Sequence, residues 1–117
     1  MNAFGDYLRA ARESRLKGDR HFSVRGVAKR VGIEPSYLSK IERGLQPPPG
    51  EDTVRRLAVD LGEDPDALLA LGGKVSGDLL TVIRRRPKLF AQLIRQMKAL
   101  PDHAILRLVR EVRDGKW

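Results

Sequence analysis

Phe4, Leu8, Ala11 and Leu16 fall near helical spacing, which predicts a first amphipathic helix over residues 3–16. The stretch Lys17-Gly18-Asp19-Arg20-His21-Phe22 is polar, broken by glycine, and reads as a loop. Ser23 is a good N-cap for a second helix that carries Val27, Ala28 and Val31. Gly32 ends it, because a left-handed C-cap costs glycine least. Pro35 then stands at a first helical position, where its missing N–H costs nothing. The third helix runs to Arg43 with Leu38 and Ile41 inward, and Gly44 stops it. Pro47-Pro48-Pro49-Gly50 is a stiff link that suits neither helix nor central strand. A fourth helix begins near Glu51, turns Val54, Leu57, Ala58 and Leu61 inward, and closes at Gly62. Behind Asp64-Pro65 a short fifth helix over residues 66–71 carries Leu68, Leu69 and Leu71.

Gly72-Gly73 marks a boundary, after which three more amphipathic pieces follow. Residues 78–86 carry Leu79, Val82 and Ile83; residues 87–100 carry Phe90, Leu93, Ile94 and Met97; residues 101–113 carry Ile105, Leu108, Val109 and Val112. No strand-like alternation and no internal repeat is visible. The expected fold is all-α, with one domain over residues 1–73 and a helical C-terminal extension over residues 74–117.

Composition narrows the function. Hydrophobic residues make up 41% of the 117 and aromatics only 5%, so aliphatic side chains must fill the core. The absence of cysteine excludes a disulfide framework, a zinc finger and a thiol nucleophile, and fits a reducing cytoplasm. With no signal-like apolar stretch and no run of membrane-spanning length, a soluble cytoplasmic protein without membrane association is expected. The two histidines, His21 and His103, lie in unrelated segments, and there is neither a Gly-rich phosphate loop nor a paired metal-ligand motif. No enzyme, cofactor or metal is therefore expected.

The net charge of +8 invites a polyanionic partner, and its distribution is uneven. Residues 1–44 hold ten Lys/Arg against five Asp/Glu, residues 45–73 two against six, and residues 74–117 eleven against four. Two basic blocks flank an acidic one.

Two short helices joined by a tight glycine-containing turn are how a recognition helix is presented to a DNA groove. The order Ala28, Gly32, Ile33, Leu38, Ile41 supplies a small residue at the helix crossing, the turn, a plug and the buried face. The run Gly26-Val27-Ala28-Lys29-Arg30-Val31-Gly32-Ile33-Glu34-Pro35-Ser36-Tyr37-Leu38-Ser39-Lys40-Ile41-Glu42-Arg43-Gly44 resembles the core of the lambda-repressor/Cro-like, XRE-type helix-turn-helix family. The resemblance covers residues 4–71, a five-helix domain in that family. It implies a transcriptional regulator that binds double-stranded DNA as a homodimer on a near-palindromic operator, with a recognition helix in the major groove.

The resemblance also assigns residues. Base contacts map onto Pro35, Ser36 and Lys40. Pro35 can offer only backbone and apolar contact, Ser36 discriminates weakly, and Lys40 reaches either guanine O6 and N7 or a phosphate. Tyr37, expected to be exposed, lies against the DNA backbone or shields Leu38; Ser39 is a weaker candidate of the same kind. Arg43 matches a phosphate-approaching position, although a helix C-terminus favours a basic residue in any case. The start of the second helix is a further anchor, with Ser23 as cap and Arg25 nearby. Val24 replaces a frequent glutamine and so has only its backbone N–H to give. The loop before Ser23 is longer than the family's, and its Lys17, Arg20 and His21 either extend the backbone contact or are simply solvated. The family pattern pairs Glu42 with Arg12 as a buried structural ion pair, with Arg9 as the weaker alternative partner.

The extension is too short to fold alone with ease. It is expected to serve dimerisation, ahead of packing within the monomer or binding a partner protein. Arg84-Arg85-Arg86-Pro87-Lys88 is its densest charge run, either a solvated face or a source of extra phosphate contacts. The rival functional reading is an antitoxin-like or protease-controlled repressor whose extension binds a partner protein.

Overall fold

Caps, glycines and prolines set the ends of several helices in this chain. The computed structural model describes residues 3–117. They form α1 (Ala3–Leu16), a 3₁₀ turn (Arg20–Phe22), α2 (Val24–Val31), α3 (Pro35–Glu42), α4 (Glu51–Leu61), α5 (Pro65–Leu71), α6 (Gly77–Arg85), α7 (Pro87–Met97) and α8 (Asp102–Asp114), with no strand among the described residues. Ser23 caps α2 by accepting the Gly26 N–H, and Gly32 closes it in the left-handed region at φ 84°. Pro35 opens α3, and Asp64 caps α5 by accepting the Asp66 N–H ahead of Pro65. α7 stops at Met97 rather than at Leu100.

The chain divides into two units, the first ending at Ser76 and the second spanning Gly77–Trp117. The division falls after Gly72-Gly73 because Lys74 and Ser76 belong to the first unit. Lys74 Nζ donates to the Pro49 carbonyl at 3.0 Å, and Ser76 is buried. The Pro47–Gly50 link is likewise more than a spacer, since Pro49 is buried.

In the first unit α2 packs on both α3 and α4, and α4 packs on α5. The core is built from Phe4, Leu8, Val27, Ala28, Val31, Leu38, Ile41, Val54, Leu57, Ala58, Leu61, Leu68 and Leu69. Ala28 is fully buried in α2, where a larger side chain would hold the neighbouring helices apart. Leu16 and Leu71, expected inward, are instead exposed. The buried line of α1 is Phe4, Leu8 and Arg12, and its last turn runs past the edge of the core. In the second unit α7 packs on α6, and no residue of Gly77–Trp117 is buried.

Candidate nucleic-acid interface

α2, the turn at Gly32 and α3 form a helix pair whose inner side is apolar except for Glu42. Val27, Ala28, Val31, Leu38 and Ile41 are buried, and Ile33 packs against them from the turn. Of the polar residues of α3, only Glu42 is buried. Ser36 and Lys40 are both exposed and stand one turn apart on the same face of α3. Pro35 and Ser39 are half-buried beside them. Tyr37 corrects the expectation of an exposed ring: it is half-buried and packs against the core, because its position in α3 follows the Leu38–Ile41 side.

The first turn of α2 lies close to this face. The Ser23 hydroxyl accepts the Gly26 N–H at 3.1 Å, and the helical ladder begins with Val27 N–H to Ser23 C=O at 3.0 Å. The N–H groups of Val24 and Arg25 precede that ladder and point out of the helix end. Val24, Ser39 and Arg43 line a small cleft of about 170 Å³ together with Arg9, Arg12 and Glu42. The fold thus gathers three of the backbone-contact candidates around one concavity. Arg43 is exposed at the end of α3, its Nε donating to the Ser39 carbonyl at 3.4 Å. Across residues 23–44 the exposed charges are Arg25, Lys29, Arg30, Lys40 and Arg43 against Glu34 alone. Such a surface attracts phosphate.

A family described as a helix-turn-helix domain matches residues 3–71, the whole of α1 to α5. The chain belongs to that helix-turn-helix family. Neither the curated proteins nor the solved structures contain a match. Among the described residues no group of His, Asp and Glu is arranged to hold a metal, and no helix is long and apolar enough to cross a membrane.

Glu42 lies inside the helix-turn-helix yet takes no part in its outer surface. Arg12 Nε and Nη2 donate to its two carboxylate oxygens at 2.7 and 2.9 Å, and Arg12 Nη1 donates to the Phe22 carbonyl at 3.2 Å. Both side chains are buried. The hydrogen bond to Glu42, more than the surrounding charge, pushes the Arg12 pKa up, so the guanidinium stays protonated at every accessible pH. A two-pronged bond of this kind fixes α1 against α3 in one orientation. Arg9 pairs with Glu13 on its own helix instead, at 2.8 Å.

The segment before α2 holds what the sequence concealed. Phe22 packs against the core, and the guanidinium groups of Arg15 and Arg30 lie 5.5 and 4.9 Å from its ring centroid. Arg30 also donates to the His21 carbonyl at 2.7 Å and to both Asp60 oxygens at 2.6 and 3.0 Å. The result is a brace joining α1, the 3₁₀ turn, α2 and α4 just behind the Ser23 cap. Lys17 and Arg20 are exposed on this braced segment and do not line the Val24–Arg43 cleft. One local signal pointed to the brace: Phe22 occupies the position before an N-cap, where an apolar residue commonly folds back onto the helix.

Proposed function

We propose that this helix-turn-helix protein is a sequence-specific transcriptional regulator, acting as a repressor, that binds a near-palindromic operator as a homodimer. α3 enters the major groove, Ser36 and Lys40 address base edges, and Pro35 gives apolar contact. Ser23, Arg25, Tyr37, Ser39, Arg43 and the Val24 N–H hold the phosphate backbone, with Lys17 and Arg20 reaching outer phosphates. The observation that carries this reading is the exposed Ser36–Lys40 face beside a cationic cleft, on a helix pair whose opposite side is sealed into the core. Two base-facing side chains per half-site give modest discrimination, so a second half-site is needed for operator specificity.

Selection of bound duplexes from a random pool tests the reading. The expected product is a consensus of two inverted half-sites about one helical turn apart. Recovery of unrelated sequences, with affinity that falls steeply in salt, would refute it in favour of non-specific binding. On the selected site, Lys40→Ala should lose roughly 1–3 kcal/mol at one base position and leave the others unchanged. A uniform loss across all sequences would move Lys40 to the phosphates.

A further inference from the structure

Lysine and arginine are not shared evenly between the two units. The first carries 13 of them against 11 Asp/Glu, and four of its arginines are held in ion pairs. The second carries ten against four. Its whole surplus lies in residues 79–101, where six Lys/Arg meet no Asp or Glu, while the rest of the unit balances four against four. α6 ends at Arg85 and α7 begins at Pro87, so a one-residue corner brings Arg84, Arg85, Arg86 and Lys88 together. The macrodipole favours Arg84 and Arg85 at the end of α6, but it opposes Arg86 and Lys88 at the start of α7. Along α7, Lys88 and Arg95 are seven residues apart and share one face, with Ala91 and Gln92 between them. All four are exposed. Among the described residues none of Arg84, Arg85, Arg86, Lys88 and Arg95 makes an ion pair. Leu93 and Met97, on the opposite side of α7, line an apolar groove toward α8.

We propose that the α6–α7 corner and the Lys88–Arg95 face of α7 form a second DNA-contacting surface, which grips the phosphate backbone without regard to sequence. The proposal rests on the DNA-binding reading above and adds to it a site outside the helix-turn-helix. Crowded like charges repel one another, and a polyanion relieves that repulsion while its own counterions are released. The row from Lys88 to Arg95 is about 10 Å long, over which each strand of a duplex presents about three phosphates. Ala91 and Gln92 leave room for a backbone to approach. With no large apolar side chain between its two bases, this face suits a polyanion better than a lipid surface, which needs apolar groups to insert. Because the two units are one chain, DNA held by the first is offered to the second at high effective concentration, so contacts weak in isolation suffice. The extension thereby adds affinity, and α3 keeps the readout.

Titration of the full chain onto its selected duplex and onto a random-sequence duplex, across salt concentrations, tests the proposal. Arg86→Gln, Lys88→Gln and Arg95→Gln combined remove three phosphate contacts and keep helix-forming side chains. The slope of log affinity against log salt should fall by about two to three units, and affinity at about 0.1 M salt by roughly tenfold or more. Both duplexes should lose equally, so the ratio between them holds. Arg107→Gln, Arg110→Gln and Lys116→Gln remove the same charge from the balanced part of the unit and should change the slope by less than about one unit. The chain has no cysteine, so Gln92→Cys provides a sole thiol for a tethered iron chelate. The chelate should cleave the bound duplex by hydroxyl radical, and intact DNA in that complex overturns the proposal. Equal losses from the two triple variants show net charge alone at work and overturn it as well. So does an unchanged DNA affinity in the first triple variant, and if that variant instead releases vesicles of anionic lipid, the face serves a membrane. Each of these results leaves the helix-turn-helix reading intact, since the parent still binds its selected site. A parent chain that binds no duplex overturns both.

Discussion

Replacing Glu42 by alanine strands Arg12, which is only 6% exposed. Arg12 donates two hydrogen bonds to the Glu42 carboxylate, at 2.7 and 2.9 Å, and a longer one to the Phe22 carbonyl. Breaking one side of a buried pair costs about 3–5 kcal/mol, because a desolvated charge is left without a counterion. A domain of this size has roughly 5–15 kcal/mol in all, so the single variant sits close to unfolding. Replacing both partners, Arg12→Met with Glu42→Leu, removes the stranded charge together with the attraction. Apolar replacement of a buried pair is often neutral or stabilising, and here the orphaned Phe22 carbonyl subtracts about 1 kcal/mol. The double variant should therefore lie within about 2 kcal/mol of the parent, far from the sum of the two single losses. Urea unfolding followed by circular dichroism on the parent, Arg12→Met, Glu42→Leu and the double variant measures the coupling. The double variant should also keep the affinity for selected DNA, since Glu42 holds α1 against α3 and touches no base. A Glu42→Ala loss below about 1 kcal/mol would refute the argument by showing a solvated pair. Additive single losses would refute it equally.

Three further expectations concern the segment that leads into α2. Gly26→Ala adds a methyl that collides with the His21 carbonyl, an atom held by Arg30, so backbone must move. The overpacking cost of about 1–3 kcal/mol should exceed the helix-propensity gain of about 1 kcal/mol, a net loss that thermal unfolding detects. Ser23→Ala removes the acceptor for the Gly26 N–H and should cost about 1 kcal/mol, with Ser23→Gly milder. The Asp19 carboxyl is held below its usual pKa chiefly by the His21 backbone N–H, and next by the His21 ring. Its contribution to stability is present above the ordinary carboxylate pKa of about 3.9 and is lost as pH falls through the lower folded value. In a carboxyl titration followed by NMR, His21→Ala should keep most of that depression, and a full return to the ordinary value would contradict the order of causes.

What the sequence disclosed was whatever is decided within a turn or two. Ser23, Gly32 and Pro35 set the ends of α2 and α3 by their own backbone preferences, so those ends were readable from neighbours alone. Arg12 and Glu42 are 30 residues apart and no spacing joins them; the family resemblance alone suggested the pair. The brace around Phe22 was hidden for the same reason. It needs Arg15, Arg30 and Asp60 from three helices, and a polar, glycine-broken stretch looks the same whether braced or solvated. Tyr37 and Leu16 show the limit within a helix, since periodicity gives a face but not where that face leaves the core.

The extension carries this limit furthest. The stripes of α7 and α8 have the same spacing as those buried in the first unit, and periodicity cannot say which chain will cover them. In α4 the stripe Val54, Leu57, Ala58, Leu61 is closed by the chain's own α2 and α5, whereas Val109 and Val112 are left open. A helix recovers the chain entropy it costs to order only by burying apolar surface, and within its own unit α8 half-buries Ile105 and Leu108 while Val109 and Val112 stay largely exposed.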